Sequence, residues 1–271
     1  MLMTALPDRV SVRGATLEVL RKGRGQPLLF LHPGHGIDPT DAFLEALAGK
    51  YQVIAPAHPG FGSSDLPDGI TTVGDLAYFY LDFIEQEDLR DVVLVGASFG
   101  GWLAAELAIK GCQRFSRLVL LNAIGAKFGN REQREIKEIL NTPIDELPAT
   151  LFSDPSEGAR KFGNLDFPAM QEAEVTRFAR NRESFLMFSW APALFNPKLA
   201  SRLHRARMPT LVVWGDDDGV VSPAYGRAYA DAIPRAQFVS VPRAGHYGYM
   251  EQPAAYADAV LRFLSRQSEE D

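Results

Sequence analysis

Val92-Val93-Leu94-Val95-Gly96-Ala97-Ser98-Phe99-Gly100-Gly101 is the stretch whose reading decides the fold. Four consecutive apolar residues, three of them β-branched, predict a strand buried on both faces, which belongs in a parallel sheet. The residues from Phe99 to Lys110 follow with helical character. Between them lies Gly-x-Ser-x-Gly, the composition of a sharp strand-to-helix turn. Such a turn crowds the backbone, so small residues must flank the serine. It lifts Ser98 above the carboxyl end of the strand and sets it at a helix N-terminus, where the dipole favours a developing anion.

Working outward, short β-rich runs alternate with amphipathic stretches. Arg9–Arg13 and Thr16–Arg21 read as a hairpin turning at Gly14-Ala15. Strands are expected at Pro27–Leu31, Tyr51–Ala55, Asp91–Val95, Arg117–Leu121, Thr210–Trp214 and Ala236–Val241, and helices at Asp41–Ala48, Val73–Gln86, Pro223–Ala232 and Pro253–Ser265. This alternation predicts an α/β fold with an eight-stranded, mostly parallel sheet flanked by helices. The rhythm breaks between about Asn122 and Met208. Helices are expected there at Arg131–Leu140, Ile144–Phe152, Ser156–Phe162 and Met170–Trp190, punctuated by prolines. Aromatic residues concentrate in this helical insertion, Phe162, Phe167, Phe178 and Phe185 among them, and could line a pocket.

The 271 residues are 46% hydrophobic and 23% charged, ordinary for a globular chain. A net charge of -6 argues against nucleic acid as a partner. One cysteine, Cys112, excludes an internal disulfide and a cysteine-clustered metal site. No apolar run approaches the ~18 residues of a membrane span. The first residues, Met1 to Arg9, lack the pattern of a signal peptide. A cytoplasmic location is the expectation. The acidic tail Ser268–Asp271 is expected to fray.

A serine hydroxyl is a weak nucleophile at neutral pH and needs a base, which in turn needs an orienting carboxylate. Of the five histidines, His246 lies in a loop after the last strand and before the final helix, at the same sheet edge as Ser98. The acid is expected where Leu211–Trp214 runs into Gly215-Asp216-Asp217-Asp218-Gly219; Asp216 and Asp217 read as a solvated turn. Serine, acid, histidine is the chain order of a sheet-based serine hydrolase.

With these residues in place, the chain resembles the α/β-hydrolase superfamily over essentially its whole length. The resemblance rests on the elbow Gly96–Gly100, the Gly-x-x-Asp at Gly215–Asp218, the Gly-His-x(4)-Glu-x-Pro from Gly245 to Pro253, and the Gly60-Phe61-Gly62-Ser63-Ser64 turn. It implies Ser98 as nucleophile, His246 as base and Asp218 as acid. It also implies a core of residues 1–123 and 208–271 interrupted by a helical cap at 124–207. The oxyanion hole is expected from the N–H groups of Phe99 and Gly34. Leu31-His32-Pro33-Gly34-His35-Gly36 departs from the family's His-Gly pair by placing Pro33 after the histidine, but Gly34 keeps its N–H. His35 is the lesser candidate donor. His32 and His35 read as loop packing rather than a metal pair, His58 as a turn residue and His204 as a surface residue; no metal or cofactor is implied.

A serine in place of an aspartate at the elbow speaks against dehalogenase and epoxide-hydrolase chemistry. Tyr247 stands where carbon–carbon bond hydrolases of the superfamily often carry tryptophan. The resemblance is therefore to carboxylesterase and enol-lactonase-type members, and the expected substrate is a small to medium, largely apolar ester or lactone. His35, Met187, Phe188, Trp190 and Tyr247 are the candidate pocket residues, while Arg177, Arg180 and Arg182 read as a solvated helix face. The alternatives are carbon–carbon bond hydrolysis or cofactor-free perhydrolysis on the same triad, and a ligand-sensing protein with weak hydrolysis. Monomer and homodimer both remain open. A general base works only when neutral, and a free imidazole titrates near pH ~6.5, so activity is expected to rise through that region in a pH–rate profile.

Overall fold

The computed structural model describes residues 7–111, 113–161 and 170–266. Residues 1–6, Cys112, Phe162, Phe167 and the tail Ser268–Asp271 lie outside them. Eight strands form one sheet: β1 (Asp8–Val12), β2 (Ala15–Lys22), β3 (Pro27–Leu31), β4 (Gln52–Pro56), β5 (Val92–Ala97), β6 (Phe115–Leu121), β7 (Thr210–Gly215) and β8 (Ala236–Val241). Their order is β1-β2-β4-β3-β5-β6-β7-β8. β2 is antiparallel to both neighbours, and every pairing from β4 to β8 is parallel. The β1–β2 turn is Arg13-Gly14, both with positive φ, one residue earlier than the composition suggested. Two positive φ angles are what a right-twisted two-residue hairpin requires.

The helices of the sheet layers are α1 (Ala42–Ala48), α2 (Val73–Gln86) and α3 (Phe99–Ile109), then α7 (Pro223–Ala232) and α9 (Pro253–Arg266). α1 and α9 pack together on one side of the sheet; α2, α3 and α7 cover the other. Thr72 and Asp75 cap α2 reciprocally, each side chain accepting the other's backbone N–H. β5 and β7 are buried at every residue, and so is α3. α3 is apolar nearly all round because it lies under α2 and over β5. No helix among the described residues is long and apolar enough to cross a membrane.

Between β6 and β7 the chain leaves the sheet. It forms α4 (Leu147–Leu151), α5 (Pro155–Lys161), α6 (Glu172–Ser189) and a 3-10 turn at Ala200–Arg205. The helix expected at Arg131–Leu140 is absent. Side chains there satisfy the backbone locally: Glu135 accepts the N–H groups of Phe128 and Gly129, and Asn130 those of Glu132 and Gln133. Such bonds compete with a helical ladder. Ile136 instead bridges Val221, and Lys137 N–H donates to the Val220 carbonyl at 2.8 Å. A short helix not foreseen, α8 (Gly248–Glu251), follows His246.

The tightest packing lies where α3 begins. A Cβ on Gly96 would stand 2.2 Å from the Gly100 carbonyl oxygen, and one on Gly100 only 2.0 Å from that of Leu31. Both obstacles are backbone, so neither can turn away. Gly100→Ala is therefore expected to cost about 3 kcal/mol or to abolish soluble expression. Gly74→Ala, in the open first turn of α2, is expected to change stability by less than about 1 kcal/mol. Thermal unfolding of the two variants checks the contrast.

Candidate active site

Ser98 follows β5 and caps α3 with φ 51° and ψ -113°, a left-handed setting that a non-glycine residue occupies only under constraint. The constraint is the glycine-to-backbone contact on either side of it. The strained turn points the side chain at the loop after β8, where the Ser98 hydroxyl lies 2.7 Å from His246 Nε2. His246 Nδ1 lies 2.9 and 3.0 Å from the two carboxylate oxygens of Asp218, on the loop after β7. This network assigns the tautomer: Nδ1–H donates to Asp218, leaving the Nε2 lone pair to accept from Ser98. Ser98 is 2% exposed and His246 0%, so the chain of hydrogen bonds is sealed from bulk water.

Asp218 is buried at its carboxylate and heavily bonded. One oxygen accepts the N–H groups of Val220 and Val221, and the other accepts Asn122 Nδ2–H at 2.8 Å. Asn122 in turn accepts from the Tyr256 hydroxyl. Asp216 and Asp217 are exposed, and Asp217 accepts from the Ser153 hydroxyl. Glu251 of the Gly-His-x(4)-Glu pattern has a structural task, bonding Gly245 N–H with one oxygen and Asp154 N–H with the other. That holds the His246 loop to the inserted segment.

Phe99 N–H, at the first position of α3, and Gly34 N–H, after β3, have no acceptor among the described residues. The imidazoles nearby are committed elsewhere. His32 Nδ1–H donates to the Pro33 carbonyl at 2.7 Å and Nε2 accepts His58 N–H at 2.9 Å. His58 Nε2–H donates to the His32 carbonyl at 3.0 Å, and its Nδ1 accepts the Tyr80 hydroxyl at 2.6 Å. With both nitrogens in use, His32 has no lone pair for a metal. Among the described residues no three His, Cys, Asp or Glu side chains converge as ligands. His58 is thus part of a buried ring pair rather than only a turn residue. His204 is exposed.

Beside this site lies a cavity of about 450 Å³ lined by Gly34, His35, Asp38, Tyr247 and Met250 among others from the core, and from the inserted segment by apolar side chains such as Leu140, Leu151, Phe185 and Leu186 together with Asn181, Glu174, Arg177 and Arg182. His35 meets Tyr247 edge-on at 4.8 Å. Burial pushes the His35 imidazole down to about 4, so it is neutral at physiological pH. Three expected pocket residues do not line it. Trp190 is 73% exposed, one turn beyond the last lining residue of α6 and just before Pro192. Met187 is about 200° around the helix from Phe185, and Phe188 is buried against the Phe99 ring instead. Phe185 takes the place they were given. Its ring would be 2.8 Å from a Cβ on Gly34 and its centroid is 5.4 Å from that of Phe99.

The arginines of α6 are not a free solvated face either. Arg177 grips the Glu18 carboxylate with both terminal nitrogens, Arg180 donates to the Ser64 carbonyl and Arg182 to that of Leu140. Asn181 donates to the His35 carbonyl at 2.7 Å and accepts Gly62 N–H at 2.8 Å, and Ser184 donates to the Gly60 carbonyl. Arg177, Arg180, Asn181 and Ser184 fall at i, i+3, i+4 and i+7, a spacing visible in the sequence, but their partners are the Glu18 carboxylate and backbone groups of distant loops.

The chain is similar to known proteins along its length. Over 266 residues, 93% of this chain, it is 30% identical to polyketide synthase ThaQ of Burkholderia thailandensis, of which it spans 12%. It is 29% identical over 264 residues to the 2-hydroxymuconate semialdehyde hydrolase of Pseudomonas sp. strain CF600, covering 90% of this chain and 88% of that one. The crystal structure of a meta-cleavage product hydrolase from Pseudomonas fluorescens IP01 has the same fold, with a TM-score of 0.80 at 24% identity over 97% of this chain and 98% of that one. The alpha/beta hydrolase family model matches residues 28–259, and the chain belongs to that family.

Proposed function

We propose that this alpha/beta hydrolase is a serine hydrolase that cleaves an ester or lactone of a small to medium, largely apolar acyl substrate through an acyl-enzyme on Ser98. The observation that carries this reading is the buried line Ser98–His246–Asp218, with both hydrogen bonds at 3.0 Å or less. Ser98 attacks the acyl carbon as its proton passes to His246 Nε2. Asp218 stabilises the imidazolium. Phe99 N–H and Gly34 N–H receive the oxyanion, where one preorganised donor is worth about 10²–10³ in rate. His246 then protonates the leaving alcohol. Water, activated by the same imidazole, releases the acid and restores Ser98.

Residues 124–207 serve as the cap. α6 lays Phe185 over Gly34 and Phe99 and closes the apolar cavity that would hold the acyl chain. The substrate is a small molecule whose acyl part is largely apolar: the cavity wall is mainly apolar, and of its charged members Arg177 is paired with Glu18 and Arg182 bonds the Leu140 carbonyl. The relative named as a 2-hydroxymuconate semialdehyde hydrolase supports a second reading, carbon–carbon bond cleavage on the same three residues. Product analysis separates the two.

Intact mass after incubation with a fluorophosphonate tests the first step: one adduct is expected on the parent protein and none on Ser98→Ala. An adduct retained by Ser98→Ala would refute the nucleophile. The cavity wall makes a separate claim. Phe185→Ala is expected to raise the kcat/KM ratio of p-nitrophenyl hexanoate over acetate by about tenfold, as an apolar pocket gains room for methylenes. An unchanged ratio would remove Phe185 from the acyl site.

A further inference from the structure

We propose that His58 is a positioning residue for the oxyanion donor Gly34 N–H, acting through the imidazole of His32. The inference rests on the reading of Gly34 N–H as one of the two oxyanion donors. In a trans peptide the carbonyl and the N–H point in opposite directions. Whatever holds the Pro33 carbonyl therefore aims Gly34 N–H. Two donors hold it: His32 Nδ1–H at 2.7 Å and Gly36 N–H at 3.0 Å. His32 can donate from Nδ1 only while Nε2 carries the lone pair. His58 imposes that tautomer by pointing its backbone N–H at His32 Nε2 from 2.9 Å.

The His58 ring is itself held in one state. Tyr80 donates its hydroxyl to Nδ1, which puts the proton on Nε2, and Nε2–H donates to the His32 carbonyl. His32 is thus gripped at its ring by His58's backbone and at its backbone by His58's ring. The two rings stack with centroids 3.6 Å apart and planes 28° from parallel. Among the described residues the groups recorded at the edges of the pair are neutral, Tyr80, Phe61 and Phe99, and His35 acts on His32 from nearby. Burial pushes His58 down to about 3 and His32 well below its ordinary range, so both stay uncharged, as the bonds require. The His58 ring also meets the Phe99 ring at 5.8 Å, beside the second donor.

The decisive comparison is of the parent with His58→Gln and His58→Leu, read by p-nitrophenyl acetate kinetics and by the Gly34 amide resonance in NMR. Glutamine reaches the His32 carbonyl with its amide N–H; leucine fills similar volume with no donor. His58→Leu keeps the backbone N–H that bonds His32 Nε2 but removes the ring's hold on the His32 carbonyl, and it is expected to lower kcat about 30-fold with KM within about threefold, since a misaimed Gly34 N–H is felt in the transition state, and to shift the Gly34 amide. His58→Gln is expected to keep kcat within about fivefold of the parent. If His58→Leu does not fold, Tyr80→Phe, which frees the His58 tautomer, is expected to lower kcat severalfold and move the same amide. A folded His58→Leu with parent kcat and an unmoved Gly34 amide overturns the proposal. So does His58→Gln falling as far as His58→Leu. A Gly34 amide that moves in His58→Leu, in a parent protein whose Ser98 takes no fluorophosphonate, upholds the positioning and refutes the hydrolase reading alone.

Discussion

The rest of the structure depends on the close passage of α3 across the ends of β3 and β5. At Gly96, Gly100 and Gly101 there is no room for a side chain, because the space a Cβ would take already holds backbone or the side chain of Ala123. That proximity forces the chain to reverse within one residue, and the residue at the apex is Ser98 with its positive φ. Strain of this kind costs on the order of 1–3 kcal/mol and persists only where the surroundings over-determine it. The surroundings here are the fully buried β5 and α3. The same turn leaves the Phe99 N–H without an acceptor among the described residues, at a helix N-terminus beside Ser98.

A sealed site with a charged group in it must satisfy that charge internally. Asp218 does so with four donors: Val220 N–H, Val221 N–H, Asn122 Nδ2–H and His246 Nδ1–H. Removing water strengthens each of these bonds and makes any unfilled one expensive. The demand spreads outward, since Asn122 must itself be oriented and Tyr256 of α9 supplies the hydroxyl that does it. The terminal helix, far from Ser98 in sequence, is in this way part of the support of the Asp218 carboxylate.

How much of this was legible in the sequence follows from the range of the interactions. Strands buried on both faces announce themselves by continuous apolar runs, so β5, β6 and β7 were visible, and their spacing carried the order of Ser98, Asp218 and His246. Residues 131–140 were misread as a helix because their periodicity was helical while Glu135 and Asn130 bind nearby backbone instead. Trp190 was misassigned because aromatic content says nothing about where a helix ends relative to a cavity. Asn122, Tyr80 and Asn181 could not be found at all. Their roles are hydrogen bonds to partners 96, 22 and 146 residues away, and an isolated polar residue carries no sign of its partner.

The seat of α6 shows what such long-range bonds accomplish. The helix meets the core at Gly34, Gly36 and Gly60, where a Cβ would strike Phe185, Asn181 and Ser184 respectively, and at Gly62, whose Cβ would crowd the Arg177–Glu18 pair. The absence of side chains on the core loops lets α6 reach their backbone, and it holds them with Asn181, Ser184 and Arg180. A seam made this way is polar and specific rather than adhesive. Phe185 and Phe188 add aromatic contact, and both rest on Phe99. Asn181 bonds the His35 carbonyl, so the seat of α6 bears directly on the loop after β3 that carries Gly34. The inserted segment therefore braces the loop after β3 as well as lining the cavity beside Ser98.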